Sequence, residues 1–223
     1  VIGCPSMYTF GRDLKIKDLN LTNNSTIALN SSKLSPEHVL KFITNVSNNY
    51  PDYYFIPQWM KEFKMTYVGN EKLSENTAFY PNSLEDRYYK ENRVRFPLNA
   101  KSWINFMEQM DLAVGARLHG NITATIAGTP SLLLTKDARM KELAEYHNLT
   151  HLSEEELKED VKLEEVINQL DFHSPEKVQA QNFDHFIYFL EKNGLDHIYN
   201  YDYYQHPPLD KEIDAIDLPE MLT

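Results

Sequence analysis

The 223-residue chain carries a net charge of -11, with 42% hydrophobic and 25% charged residues, an ordinary balance for a globular protein long enough to bury a core. That acidity excludes a binder of nucleic-acid backbone, which needs a basic face, although a local cluster of cations can still hold a small anion. The single cysteine, Cys4, rules out an internal disulfide framework and suits a reducing compartment, here expected to be the cytoplasm.

The chain opens "VIGCPSMYTFGRD" without an initiator Met and with an apolar start, which reads as a piece of a larger protein lacking an N-terminal partner domain. "STIALNSS" is a short β-rich run. In "SPEHVLKFITNVSNNY", Ser35 is expected to cap a helix with Pro36 in its first position, and Val39, Leu40, Ile43 and Val46 follow helical spacing. "DYYFIPQW" reads as a strand ending near Pro57, and "MTYVGN" as a further short strand or turn. Residues 71–92 are polar and weakly periodic, a loop with room for one short helix.

From "RVRFPL" onward the alternation is regular. Strand-like "RVRFPL" precedes helical "AKSWINFMEQM"; strand "DLAVGA" precedes a short helix, "GNITATIA"; strand "PSLLLT" precedes "DARMKELAEYH", a helix capped by Asp137. Strands alternating with helices imply right-handed βαβ units and a parallel sheet. Beyond Leu152 the character changes. Ser153 with Glu156 suggests a capping box opening the helix "SEEELKEDVKLEEVINQL", and "SPEKVQAQNFDHFIYFLEKNGL" is a second helix with Gly194 as its C-cap. The expected division is residues 1–152, an α/β domain, and residues 153–223, a helical extension with an acidic, Tyr-rich tail containing Pro207-Pro208, packed on that domain or reaching to a partner.

The chemistry gathers at strand ends, where open parallel sheets bind ligands. Arg117 and His119 follow "DLAVGA". Two residues apart on extended chain, they are expected to face one crevice, with Gly120 and Asn121 starting a helix whose free N–H groups favour an anion. Lys136, Asp137 and Arg139 follow "PSLLLT" in the same way. If the two strands are neighbours, Lys136 or Arg139 comes within reach of Arg117, and the cluster suits a ligand with more than one negative charge. The competing reading of Arg117 is an ion pair with Asp111 or Glu142. His147, His151, His173, His185, His197 and His206 read as ordinary core or surface histidines. No metal site is expected: HExxH, a clustered Asp/Glu/His triad and a cysteine set are all missing. Neither a P-loop nor GxGxxG occurs.

"GARLHGNITATIAGTPSLLL" resembles the signature of the polysaccharide pyruvyl transferase family, and "GCPSMY" (Gly3 to Tyr8) is similar to that family's Gly-Cys-Pro-Ser element, in the family's order. "TKDARMKEL" is similar to the segment that follows in many members. The resemblance spans roughly Val1 to His147. It implies an α/β fold, a Rossmann-like parallel sheet flanked by helices resembling the C-terminal lobe of a GT-B fold. It also implies transfer of the pyruvyl group of phosphoenolpyruvate to a sugar hydroxyl pair, forming a ketal in bacterial exopolysaccharide or cell-envelope glycan biosynthesis. By this resemblance Arg117 and His119 are the donor-binding and catalytic pair, with Gly120, Asn121, Lys136 and Arg139 completing the site and Arg12 standing in for a basic residue of the missing lobe. No cofactor is implied beyond phosphoenolpyruvate as donor substrate. The partner is a sugar or lipid-linked oligosaccharide acceptor, with peripheral membrane association of the full enzyme allowed. Two alternatives stay open: a GT-B glycosyltransferase lobe binding a nucleotide-sugar, and a non-catalytic glycan- or partner-binding module.

Overall fold

A computed structural model describes residues 1–69, 78–200, 211–212, 214–216 and 221–223. After a 3-10 turn at Pro5–Tyr8 come β1 (Ile27–Asn30), α1 (Glu37–Asn49), β2 (Tyr53–Phe55), α2 (Met60–Val68), α3 (Arg87–Lys90), β3 (Phe96–Pro97) and α4 (Ala100–Glu108). Then follow β4 (Leu112–Gly115), α5 (Leu118–Ile126), β5 (Ser131–Thr135), α6 (Ala138–Tyr146), β6 (His151–Ser153), α7 (Leu163–Ile167), α8 (Glu176–Lys192) and β7 (Met221–Leu222). Strands β2-β1-β4-β5-β6 form one five-stranded, wholly parallel sheet flanked by helices. β4 and β5 are neighbours, paired through Gly115 and Leu133.

The two faces of the sheet differ in side-chain size, and that difference positions the site. Ile27, Leu29, Leu112, Val114, Leu132 and Leu134 point to one face and join Val39, Leu40, Ile43 and Val46 of α1 in the largest apolar cluster. On the other face Ala28 and Ala113 meet Ala124 of α5 and Met107 of α4. Small residues there let α5 approach the sheet closely. A Cβ on Gly115 would lie 2.2 Å from Asn30 Oδ1, and one on Gly120 would lie 2.6 Å from Gln58 Nε2. The third cluster ties Cys4, Met7 and Tyr8 to Leu118 and Ile122 of α5, Ala144 of α6 and Phe183 of α8.

Several local expectations are corrected. Met65 to Val68 of "MTYVGN" end α2 and are not a strand: Glu62 at the third helical position accepts the Trp59 N–H, and Gly69 closes the helix at φ 77°. Pro36, not Ser35, is the N-cap of α1, and the Ser35 hydroxyl is buried without a partner. "RVRFPL" does not join the main sheet as a full strand; Val94 makes a single bridge to Phe55, and Phe96–Pro97 pairs with β7. Only half of the capping box expected at Ser153 and Glu156 forms: Glu156 Oε2 accepts the Ser153 N–H at 2.8 Å and its hydroxyl at 2.9 Å, a turn follows, and the only α-helix described in that stretch is α7.

The boundary expected after Leu152 falls inside β6, which carries the sheet one strand further. Leu157, Leu163, Val166 and Phe172 continue the core beneath the sheet. Within the tail, the Tyr199 hydroxyl donates to the Tyr8 carbonyl at 2.5 Å, Asp214 pairs with Lys101, and β7 pairs with β3. His206 and Pro207-Pro208 lie outside the described residues, as do Asn70 and residues 71–77 of the stretch read as loop; α3 is the short helix within that stretch. No described helix is long and apolar enough to cross a membrane.

Candidate functional site

The sheet order reverses direction between β1 and β4, which places a crevice at their carboxyl ends. Asn30 ends β1 opposite Gly115, and its side chain organises the turn that follows β4. Asn30 Oδ1 accepts the Arg117 N–H at 2.9 Å, and the Ala116 N–H reaches the Asn30 carbonyl at 3.0 Å. Asn121 completes the network. Its Nδ2 donates to the carbonyls of Gly115 (3.1 Å) and Arg117 (2.8 Å), and its Oδ1 accepts from Ser131 (2.9 Å). Asn121 is therefore a scaffold residue: its side chain is buried and its N–H bonds the Arg117 carbonyl. Those bonds engage both its side chain and its N–H within the turn.

The helix begins earlier than the sequence suggested. Arg117 is the N-cap of α5 and no side chain caps the helix start, so the N–H groups of its first turn, Leu118 to Gly120, lead toward the crevice. The early start also changes the side-chain directions. Arg117 is extended (φ -121°) whereas His119 is already helical, so the two do not share the common side expected of extended chain.

Arg117 turns toward the end of β2. Its guanidinium carbon sits 5.1 Å from the Trp59 ring centre. It also feels the Glu62 carboxylate: burial pulls Arg117 below its ordinary pKa, and Glu62 opposes that pull. The ion pairs with Asp111 or Glu142 do not form; Asp111 instead accepts the Thr26 N–H at 2.8 Å. Lys136, half-buried just past β5, is pulled below its ordinary value first by burial and then by the Arg117 charge, with Asp137 and Glu154 opposing. Arg117 and Lys136 thus share one electrostatic neighbourhood, as the adjacency of β4 and β5 requires.

His119 is exposed and meets the Gly-Cys-Pro-Ser element. Burial pushes the Cys4 thiol up, but its contacts with His119 and Ser6 outweigh this and leave it below its ordinary value. The element is pinned: the Cys4 N–H donates to His147 Nε2 at 2.7 Å, and Gly3, at φ 67°, leaves no room for a Cβ against His147. Asp137 caps α6 by accepting the Met140 N–H at 2.8 Å, and Arg139 is exposed in the first turn of that helix. Arg12 is not aimed at the strand ends; it forms an exposed ion pair with Asp184 of α8. Among the described residues no group of three or more His, Cys, Asp or Glu side chains is placed to hold a metal.

Sequence reasoning missed Asn30, Trp59, Glu62, Tyr80 and Cys4. Each acts across the fold, 37 or more positions away from Arg117 or His119 in the chain. The only local signals were Glu62 three positions after Trp59 and the Gly-Cys-Pro-Ser element itself.

A family model for polysaccharide pyruvyl transferase matches residues 5–137, more than half of the chain. No curated protein matches the sequence significantly. Among solved structures, the glycotransferase of kitacinnamycin is similar at 11% identity over 79% of this chain and 41% of that one. Its TM-score of 0.35 is too low to argue from.

Proposed function

This chain belongs to the polysaccharide pyruvyl transferase family, and from that premise we propose that its strand-end crevice binds phosphoenolpyruvate as pyruvyl donor. The observation that carries the reading is that Arg117 and Lys136 follow adjacent parallel strands, close enough for the Arg117 charge to help lower the Lys136 pKa, beside a helix start that the N-cap side chain leaves uncapped. Two cations in one mouth repel each other, and an anion between them relieves that repulsion. Phosphoenolpyruvate offers a carboxylate and a phosphate. Arg117 suits the planar carboxylate or phosphate fork, Lys136 acts as a point charge, and the first-turn N–H groups of α5 add fixed dipoles.

The proposed chemistry is an addition followed by a displacement. One sugar hydroxyl adds to C2 of the enol phosphate while C3 takes up a proton, converting the methylene to a methyl group. The second hydroxyl then forms the other C2–O bond as the C2–O bond to phosphate breaks. Its proton leaves with inorganic phosphate, and the product is a ketal. His119, exposed beside the crevice, is assigned the proton transfer or the stabilisation of the leaving phosphate. The acceptor is a sugar diol of a polysaccharide precursor.

Titrating the chain with phosphoenolpyruvate and, separately, with a UDP-sugar tests this reading by amide NMR shifts and melting temperature. Phosphoenolpyruvate is expected to shift resonances of residues 117–120 and 136 and to raise the melting temperature, an effect lost in Arg117→Met. A response to the UDP-sugar alone would overturn the donor assignment in favour of a nucleotide-sugar lobe. In the full enzyme, unchanged turnover by His119→Ala would overturn the role given to that residue.

A further inference from the structure

We propose that the start of α2 is a clamp for Arg117, in which Trp59 and Glu62 are positioning residues that fix the guanidinium while leaving its N–H fork open to an anion. This rests on the reading of Arg117 as a donor-binding residue.

Glu62 is only 5% exposed. A buried carboxylate is unfavourable unless its oxygens are hydrogen-bonded and a counter-charge is near. Its Oε2 accepts the N–H groups of Gln58 (2.8 Å) and Trp59 (2.9 Å), and its Oε1 accepts the Tyr80 hydroxyl. Burial, reinforced by the Glu62 charge, drives the Tyr80 pKa far up, so that hydroxyl keeps its proton and remains a donor. The carboxylate is therefore occupied by its own helix start and by Tyr80. Its counter-charge is Arg117, felt through space.

This differs from a structural ion pair, in which carboxylate and guanidinium would lie fork to fork and consume each other's hydrogen bonds. Among the described residues, no side chain bonds the Arg117 guanidinium. What holds it is the Trp59 ring, 5.1 Å away, which fixes the plane of the guanidinium by cation–π contact. Glu62 meanwhile offsets the burial of Arg117. The result is a cation held ready, with its donors unused.

The test compares Glu62→Gln, Trp59→Leu and Trp59→Phe with the wild-type chain. Glu62→Gln keeps an acceptor for the Gln58 and Trp59 N–H groups but removes the charge. A carboxylate that merely competed with the ligand would, once neutralised, give tighter phosphoenolpyruvate binding. A positioning carboxylate gives weaker binding. We expect Kd to rise roughly tenfold in Glu62→Gln and Trp59→Leu, within the range of a partly desolvated cation–π contact, with recovery in Trp59→Phe. Tighter or unchanged binding in Glu62→Gln, or a loss of melting temperature with Kd unaltered in all three variants, would overturn the clamp.

The ligand-free protein gives a second readout, the Arg117 Nε–H resonance, assigned by its disappearance in Arg117→Lys. It should be sharp and slow to exchange in wild type and Trp59→Phe, and broadened in the other two. If phosphoenolpyruvate fails to bind the wild-type chain, the donor reading falls, and this resonance alone decides the clamp: persistence in every variant overturns it.

Discussion

His147 should make the fold acid-sensitive between pH 6.5 and about 4. Its side chain is 1% exposed and its Nε2 accepts the Cys4 N–H at 2.7 Å, which only the neutral ring can do. Burial lowers its pKa from 6.5 to about 4. As pH falls below 6.5 the unfolded chain takes up the proton first, so stability present above that pH is lost progressively and the loss is complete below the folded pKa. The interval from 6.5 to about 4, at ~1.4 kcal/mol per pH unit, amounts to about 3 kcal/mol. His173 has the opposite sign. Its contact with Glu176, against a weaker effect of burial, raises its pKa, and the stability it contributes is fully present below its unfolded value and lost only as pH rises. It therefore adds no loss within this window. Urea denaturation at pH 7.5, 6.0, 5.0 and 4.0 (~ values spanning the window) measures the slope in wild type and in His147→Gln, whose amide oxygen can still accept the Cys4 N–H. Wild type should start more stable and the gap should close by about 3 kcal/mol at the acid end. Parallel curves would refute the assignment of a buried, neutral His147.

Three further outcomes are expected. Gly115→Ala places a Cβ 2.2 Å from Asn30 Oδ1 and should destabilise the chain by ~1–3 kcal/mol in urea denaturation, with a loss of phosphoenolpyruvate binding as the β4–α5 turn shifts. His119→Ala removes the contact that lowers the Cys4 thiol, so the pH at which iodoacetamide alkylation reaches half its maximal rate should rise. Asp137→Ala deletes the α6 cap and should cost ~1 kcal/mol of stability in urea denaturation.

The parallel sheet was legible because its central strands are short apolar runs and each is followed by a turn and an amphipathic helix. Asp137 as a cap was legible for the same local reasons, whereas the C-cap of α8 is Asn193 and Gly194 is the left-handed residue after it, at φ 64°. β6 was not, since three half-buried residues carry no periodicity and the strand exists through its pairing with β5. α2 was misread because its start is held by Glu62, which accepts the Gln58 and Trp59 N–H groups, in place of a Ser or Asp N-cap, and its apolar residues are too few to mark a stripe. The pairing of Arg117 with His119 was legible as composition but not as direction. Extended geometry was carried one residue too far, and the helix start at Leu118 separates the two side chains. Arg12 drew notice as a cation; its partner Asp184 is 172 positions away, which no local pattern reveals.

The motif Gly115-Ala-Arg-Leu-His-Gly-Asn121 divides into two kinds of residue, and the division explains its composition. Gly115, Gly120 and Asn121 are consumed by the scaffold: the glycines let β4 and α5 close around Asn30, and the Asn121 amide bonds the carbonyls of the turn. With those backbone carbonyls and the Arg117 N–H bonded internally, little in the turn is free to rearrange. Arg117 and His119 between them are then the side chains that the turn presents. Arg117 projects to one flank, against Trp59 and near Lys136, and His119 to the other, against Cys4. A single rigid turn can in this way present a cation and an imidazole at a fixed separation, each steadied by a different distant segment. Preorganisation of that kind matters most when the ligand is small and highly charged, because reorienting charged groups during reaction is what a polar site must avoid.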